Sequence, residues 1–168
     1  MQVRVESPDD WTAIAEVTTA AFGKEREARM IDAIRASDGF VADLSLVAVE
    51  ENEIVGHAML SYVAMEDTPV RLLELGPISV RPDRQFNGVG GELVREALRR
   101  ADDRNEPLVL VLGHPGYYTR FGFRRASEIG IVPAEPNIPD EAFMAAPLTC
   151  YDPTITGRVI FPPAYSVS

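Results

Sequence analysis

The sequence predicts an α/β fold, a mixed central sheet flanked by helices, in one domain spanning residues 1–168. Three observations carry this. Two apolar runs at 44–49 and 54–63, joined by the polar turn Glu50-Glu51-Asn52-Glu53, read as an antiparallel hairpin. A third run at 71–80 and an all-apolar run at 108–112 are separated by an amphipathic helix at 88–104. Strand, helix, strand is a crossover unit, which places its two strands parallel and adjacent, so the sheet must be mixed. Finally, no internal repeat, low-complexity tract or Gly/Ser-rich linker divides the chain.

In chain order, Ser7, Pro8, Asp9 and Asp10 offer a capped helix start. Trp11, Ile14, Ala15, Val17, Thr18, Ala21 and Phe22 follow at helical spacing, so the first helix runs to about Phe22 or Gly23. Ala28, Met30, Ile31 and Ile34 repeat the pattern over 25–35, until Asp38 and Gly39 stop it. The hairpin and third strand come next. In the helix at 88–104, Val89, Leu93, Val94, Ala97, Leu98 and Ala101 form one apolar stripe opposite Glu92, Glu96, Arg99 and Arg100. The run at 108–112 is apolar throughout, as a strand buried on both faces should be. A short helical turn at 117–121 closes a core of about residues 1–125. The remainder, about 126–168, carries Pro133, Pro136, Pro139, Pro147, Pro153, Pro162 and Pro163. Proline cannot donate to a ladder, so this segment is expected to hold loops with one or two edge strands, near 143–146 and 158–161.

Sixteen basic against 26 acidic residues give a net charge of −10. That sign argues against a nucleic-acid partner and favours a cationic small molecule or peptide. No apolar run reaches the roughly 18 residues of a membrane helix. The first ten residues lack a signal-peptide pattern, and Cys150 has no second cysteine, so a cytoplasmic protein is expected, without a membrane partner. His57, His114 and Cys150 lie far apart and show no metal-ligand spacing, so no metal is expected.

The chemistry is concentrated between Val80 and Leu93, where a strand end passes through a glycine-containing turn straight into the amphipathic helix. Such a turn aims free backbone N–H groups and the positive helix end at one point, which suits a phosphate. Gln85, Phe86, Asn87, Gly88, Val89, Gly90 and Gly91 supply it. Leu93 stands where a dinucleotide fingerprint needs a small residue, and no Gly-Lys-Ser/Thr is present, so neither common phosphate loop applies. Just upstream, Gly76-Pro77 interrupts a strand that must be central. A bulge is expected there, at which pairing with the parallel neighbour stops. The backbone of Ile78, Ser79 and Val80 is then free to pair with an extended ligand. A long, thin cofactor with amides and a diphosphate satisfies both features.

Gln85-x-x-Gly88-x-Gly90, after a strand ending in Val80-x-Pro82, resembles the acetyl-coenzyme A loop of the GNAT (Gcn5-related) N-acetyltransferases. Tyr118-Thr-Arg-Phe-Gly-Phe123 is similar to a second motif of that family, and the two are separated by about the right length of helix and strand. Leu112-Gly-His-Pro-Gly-Tyr-Tyr118 and the segment 157–165 further resemble a YhbS-like branch. The resemblance implies a GNAT fold with splayed parallel strands, acetyl-CoA as co-substrate and direct acetyl transfer to a primary amine. It also implies a homodimer, dimers being frequent in the family.

Tyr118 then aligns with the family's general acid, which protonates the departing thiolate. Glu74, eleven positions before Gln85, aligns with the glutamate that serves as general base in one branch. His114 and water are the other candidates for that proton. Arg84 is a candidate phosphate contact. Glu25 and Glu27 lie where the family builds its acceptor pocket, and either could receive a cation or simply face solvent. His57 reads as a packed histidine. The reading from another class is a non-catalytic acyl-CoA sensor that keeps the cofactor cleft alone.

Overall fold

A computed structural model describes residues 1–168. One mixed sheet organises it. Strands β1 (Gln2–Val5), β2 (Phe40–Glu50), β3 (Glu53–Met65) and β4 (Thr68–Val80) are successive antiparallel neighbours. Helix α3 (Val89–Asp103) then crosses over to β5 (Leu108–Leu112), which runs parallel to β4 as the crossover requires. Helices α1 (Trp11–Phe22) and α2 (Arg26–Arg35) precede β2, and α1 ends at Gly23 in the left-handed region, φ 73°. A short helix, α4 (Pro115–Tyr118), follows β5.

The C-terminal segment holds strands at both positions the sequence expects, and two more besides. It contributes four short strands: β6 (Arg124–Arg125), β7 (Ile131–Pro133), β8 (Phe143–Pro147) and β9 (Gly157–Ile160). Strand β8 is not an edge, since it lies between β5 and β6 and pairs with both. Its proline stands at its last position and so removes no interior ladder bond. Strand β9 adds to the far end of β3, at Ala64 and Met65, and carries β7 beside it. Strand β1 also escapes the sequence reading, because four residues, Gln-Val-Arg-Val, are too short for a periodic signal.

Alternation along the strands builds the layers. Ala58 and Leu60, Leu73 and Leu75, and Val109 and Val111 face α3, where they pack on Leu93, Val94, Ala97 and Ala101. The helix lies close to β3: a Cβ on Gly56 would stand 3.0 Å from Leu93 and 3.1 Å from Val89. On the opposite face, Val47 and Met59 meet Ile14, Met30, Ile31 and Ile34 of α1 and α2. Leu72, Leu108 and Leu110 meet Ala126, Ile131, Phe143 and Val159 of the C-terminal segment. Each fully buried leucine or isoleucine contributes about 1.5–3 kcal/mol by leaving water.

His57 is buried on the α1/α2 face, as a packed histidine should be. Its Nε2 lies 3.0 Å from Ser45 Oγ and 3.1 Å from Glu6 Oε1, while Arg35 donates to Glu6 at 3.0 Å. Burial alone would raise the Glu6 carboxyl, but the donors His57, Arg35 and Ser45 outweigh it and hold the group at about 2.

Two features position the site. Strand β4 bulges at Gly76-Pro77, where Leu75 pairs with Leu60 but Ile78 already pairs with Ala58. Pairing between β4 and β5 is confined to Leu73, Leu75 and the residue between them, so the parallel strands part beyond the bulge. Ile78, Ser79 and Val80 keep β3 on one edge and have no strand on the other.

Candidate active site

The splay opens a cleft of about 620 Å³ beside the start of α3. Its walls come from β4 (Ile78, Ser79, Val80), the turn (Gln85, Phe86, Gly88), the first residues of α3 (Gly90, Gly91) and the α4 region (Tyr117, Tyr118, Phe121). Ala21 and Phe22 close it from α1. Helix α3 starts at Gly88, φ 86°, with no side-chain cap. Its first N–H groups therefore have no intrahelical acceptor and face a point where anionic charge is favoured. The space over the loop is close-fitting as well. A Cβ on Gly90 would stand 2.8 Å from the Tyr117 hydroxyl, so a larger residue would have to displace that side chain.

Two cations add to this. Arg95 stacks over Phe121 with its guanidinium 5.2 Å from the ring centroid, and Arg120 stacks over Tyr117 at 4.9 Å. Both line the cleft in a protein of net charge −10. An uncapped helix start, two arginines, the glycine approach and an open β4 edge fit a ligand combining phosphates with an amide-bearing arm.

A second cleft of about 800 Å³ adjoins the first and shares Phe22, Ile78, Tyr117 and Tyr118 with it. The bulge residues Gly76 and Pro77, Glu27 and Met30 of α2, His114, and the C-terminal Phe161, Tyr165 and Ser166 complete it. Tyr118 is buried, with its ring edge-on to Tyr117 and Phe123 at 5.0 and 5.6 Å. It lies so near β5 that a Cβ on Gly113 would stand 2.5 Å from the ring. Burial, then the neighbouring Tyr117 and Glu74, push its phenol well above the ordinary value, so it holds its proton at neutral pH.

Glu74 points to the same cleft from β4 and is 4% exposed. Desolvation pushes its carboxyl up to about 8, against a smaller opposing pull from the Tyr165 hydroxyl. Tyr165 itself hydrogen-bonds to Ser61 on β3. Glu74 Oε2 is sealed from water and has no hydrogen-bond partner.

Of the sequence candidates, Ile78, Ser79, Val80, Gln85, Phe86, Gly88, Gly90 and Gly91 line the first cleft, and Glu74 and Tyr118 the second. The Ser79 side chain is turned away, bonded to Thr18 at 3.1 Å, which leaves its backbone to the cleft. Asn87 and Val89 contribute no side chain there: Val89 is buried in the core under α3 and Asn87 faces outward. Gln85 donates to the Val80 carbonyl at 3.1 Å and so braces the turn. Arg84 is drawn off to Glu50, 2.9 Å away, rather than to the cleft. Glu25 is solvated and paired with Arg29, whereas Glu27 is buried in the second cleft, where His114 also lies. Sequence reasoning missed Arg95, Arg120 and Tyr165. Arg95 lies one helical turn past Gly91 and Arg120 stands inside the second motif, and neither carries a periodic signal; Tyr165 comes from a distant chain segment.

Residues 2–126 match the family described as Acetyltransferase (GNAT) domain. The chain is 32% identical over 161 residues to the uncharacterized N-acetyltransferase YjhQ of Escherichia coli K12, covering 92% of this chain and 88% of that protein. It is 30% identical over 128 residues to the uncharacterized N-acetyltransferase YhbS of the same strain, covering 76% and 75%. Among solved structures, E. coli YhbS in complex with CoA superposes with a TM-score of 0.89 at 25% identity, over 98% of this chain and 91% of that one. A GNAT acetyltransferase of Brucella melitensis in complex with acetyl-CoA gives 0.80 at 31% identity, over 98% and 97%.

Proposed function

Because the chain belongs to the GNAT family of acetyltransferases, we propose that it moves the acetyl group of acetyl-CoA directly to a primary amine, with Tyr118 as general acid and Glu74 as general base. The observation that carries this is the shared wall: Tyr118 and Ile78 line both clefts, so a thioester in one meets an acceptor in the other. The cofactor of such relatives, acetyl-CoA, fits the first cleft. Its diphosphate would lie on the N–H groups at the start of α3, with Arg95 and Arg120 as cations nearby. Its pantetheine amides would pair with the open edge of β4 at Ile78, Ser79 and Val80.

In the transfer, the amine nitrogen attacks the thioester carbonyl carbon and the C–S bond breaks. The leaving thiolate takes the Tyr118 phenolic proton, and the proton lost by the amine goes to Glu74, directly or through water. A carboxyl held at about 8 is matched to this task, since a base works best with its pKa near the working pH. A buried phenol is protonated and ready to donate. His114, at the second cleft, is the runner-up for the base.

The test is amine-dependent release of free CoA from acetyl-CoA. Wild type should release CoA with at least one primary amine, and Tyr118→Phe should lower kcat by about a hundredfold with acetyl-CoA still bound. Release that is insensitive to Tyr118→Phe would remove the acid from the proposal. Tight acetyl-CoA binding without release by any amine would replace transfer with the sensor reading.

A further inference from the structure

The molecule contains three buried side-chain oxygen or nitrogen atoms without a hydrogen-bond partner: Glu27 Oε2, Glu74 Oε2 and His57 Nδ1. Two of the three are carboxylate oxygens, from α2 and β4, and both carboxylates line the second cleft. Natural interiors satisfy such atoms, so two of them on residues that line one cavity mark where a ligand supplies the donors. The base role occupies Glu74. Nothing in the transfer of a single acetyl group uses Glu27.

Glu27 is 7% exposed, which is rare for a glutamate without full pairing. Its Oε1 is approached by Arg26 at 3.4 Å and Lys24 at 3.7 Å, contacts that leave the buried Oε2 without a partner. Arg26 is drawn away as well, donating to the Val167 carbonyl at 3.2 Å. The terminal torsion of a glutamate is broad, so a modest rotation turns the free oxygen to a ligand in the cleft. The surrounding walls include Phe22, Met30, Ile138 and Phe161, an apolar lining suited to a methylene spacer. Glu135 sits exposed at the same cleft and, with the net charge of −10, attracts cations toward it.

We propose that Glu27 is a specificity-determining residue that holds the second ammonium group of a dicationic acceptor, a diamine with an apolar spacer, while the reacting amine faces Glu74. This rests on the amine-acetylating reading of the second cleft. A monoamine of equal length leaves the Glu27 oxygen unpaired, and a site built to bind a polar group discriminates strongly against a ligand that lacks it.

The test is calorimetric titration of CoA-saturated protein with short linear α,ω-diamines and with the monoamines of the same carbon count. At least one diamine should bind about tenfold or more tighter than its monoamine, and Glu27→Gln should bring the ratio close to one. Equal affinity of diamines and monoamines for wild type overturns the proposal, whether or not the variant folds. A preference that survives in Glu27→Gln overturns it too. Diamine preference lost in the variant, but with no CoA released from acetyl-CoA, upholds the dication site and refutes the transfer reading instead.

Discussion

Replacing Glu74 with glutamine should move stability and activity in opposite directions, by amounts that follow from its burial. In the unfolded chain the carboxyl titrates at its ordinary 4.5, and in the folded protein at about 8, chiefly through desolvation. Because the folded pKa is the higher one, the group's contribution to stability is most favourable below about pH 4.5. It declines as the pH rises and levels off above about pH 8. A tenfold difference in proton affinity between the two states is worth about 1.4 kcal/mol, so at about pH 7 the wild type gives up about 3 kcal/mol by keeping this acid in the cleft. Glutamine cannot ionise and removes that cost. Glu74→Gln should therefore be more stable than wild type by about 2–3 kcal/mol near pH 7 and nearly equal to it near pH 4. Denaturant unfolding across this range measures the difference. In the same variant kcat should fall by about a hundredfold or more, and the wild-type rise of kcat/KM with pH toward about 8 should flatten. A stability difference independent of pH would refute the desolvation reasoning. Unchanged kcat with an unchanged pH profile would pass the base role to His114 or water.

The remaining predictions concern the loop and the buried network. Gly90→Glu should abolish measurable acetyl-CoA binding by titration calorimetry, because its side chain meets the Tyr117 hydroxyl and puts negative charge at the proposed diphosphate position; retained micromolar affinity would move the diphosphate elsewhere. Glu6 has its folded pKa lowered, so its contribution is present above about 4.5 and lost as pH falls through about 2. Glu6→Gln should accordingly cost about 2–3 kcal/mol near neutral pH, with the gap to wild type closing in acid; a gap that persists at low pH would mean that packing, not charge, sets the effect.

The crossover was legible because each of its parts carries a strong local signal. The apolar stripe of α3 keeps helical period over 15 residues, β5 is apolar at every position, and Gly76-Pro77 breaks a ladder by chemistry alone. The glycines at 88, 90 and 91 were legible for a related reason, since few other demands place three of them at a helix start. The C-terminal strands were legible only in part: the runs near 143–146 and 158–161 read as strands, but not as interior ones, and β6 and β7 gave no signal. Strand β8 is buried between β5 and β6 by tertiary pairing, and five residues among prolines look like an edge strand from within. The contrast between Glu25 and Glu27 was equally hidden: two residues apart on one segment, one is solvated and the other sealed in a cleft by the packing of α2. Tyr165 meets Ser61 across 104 positions of sequence, a separation that no local pattern encodes.

The two clefts draw on different parts of the polypeptide. Every wall of the first cleft comes from residue 121 or earlier, inside the stretch that matches the family. The neighbouring cleft takes Glu135, Ile138, Phe161, Tyr165 and Ser166 from beyond residue 126. The two clefts can therefore diverge at separate speeds. Under the proposed function, substitutions in the tail can reshape the second cleft while leaving the first intact. Exchanging tails between relatives would change one wall of the second cleft while keeping Glu27, Glu74 and the whole first cleft.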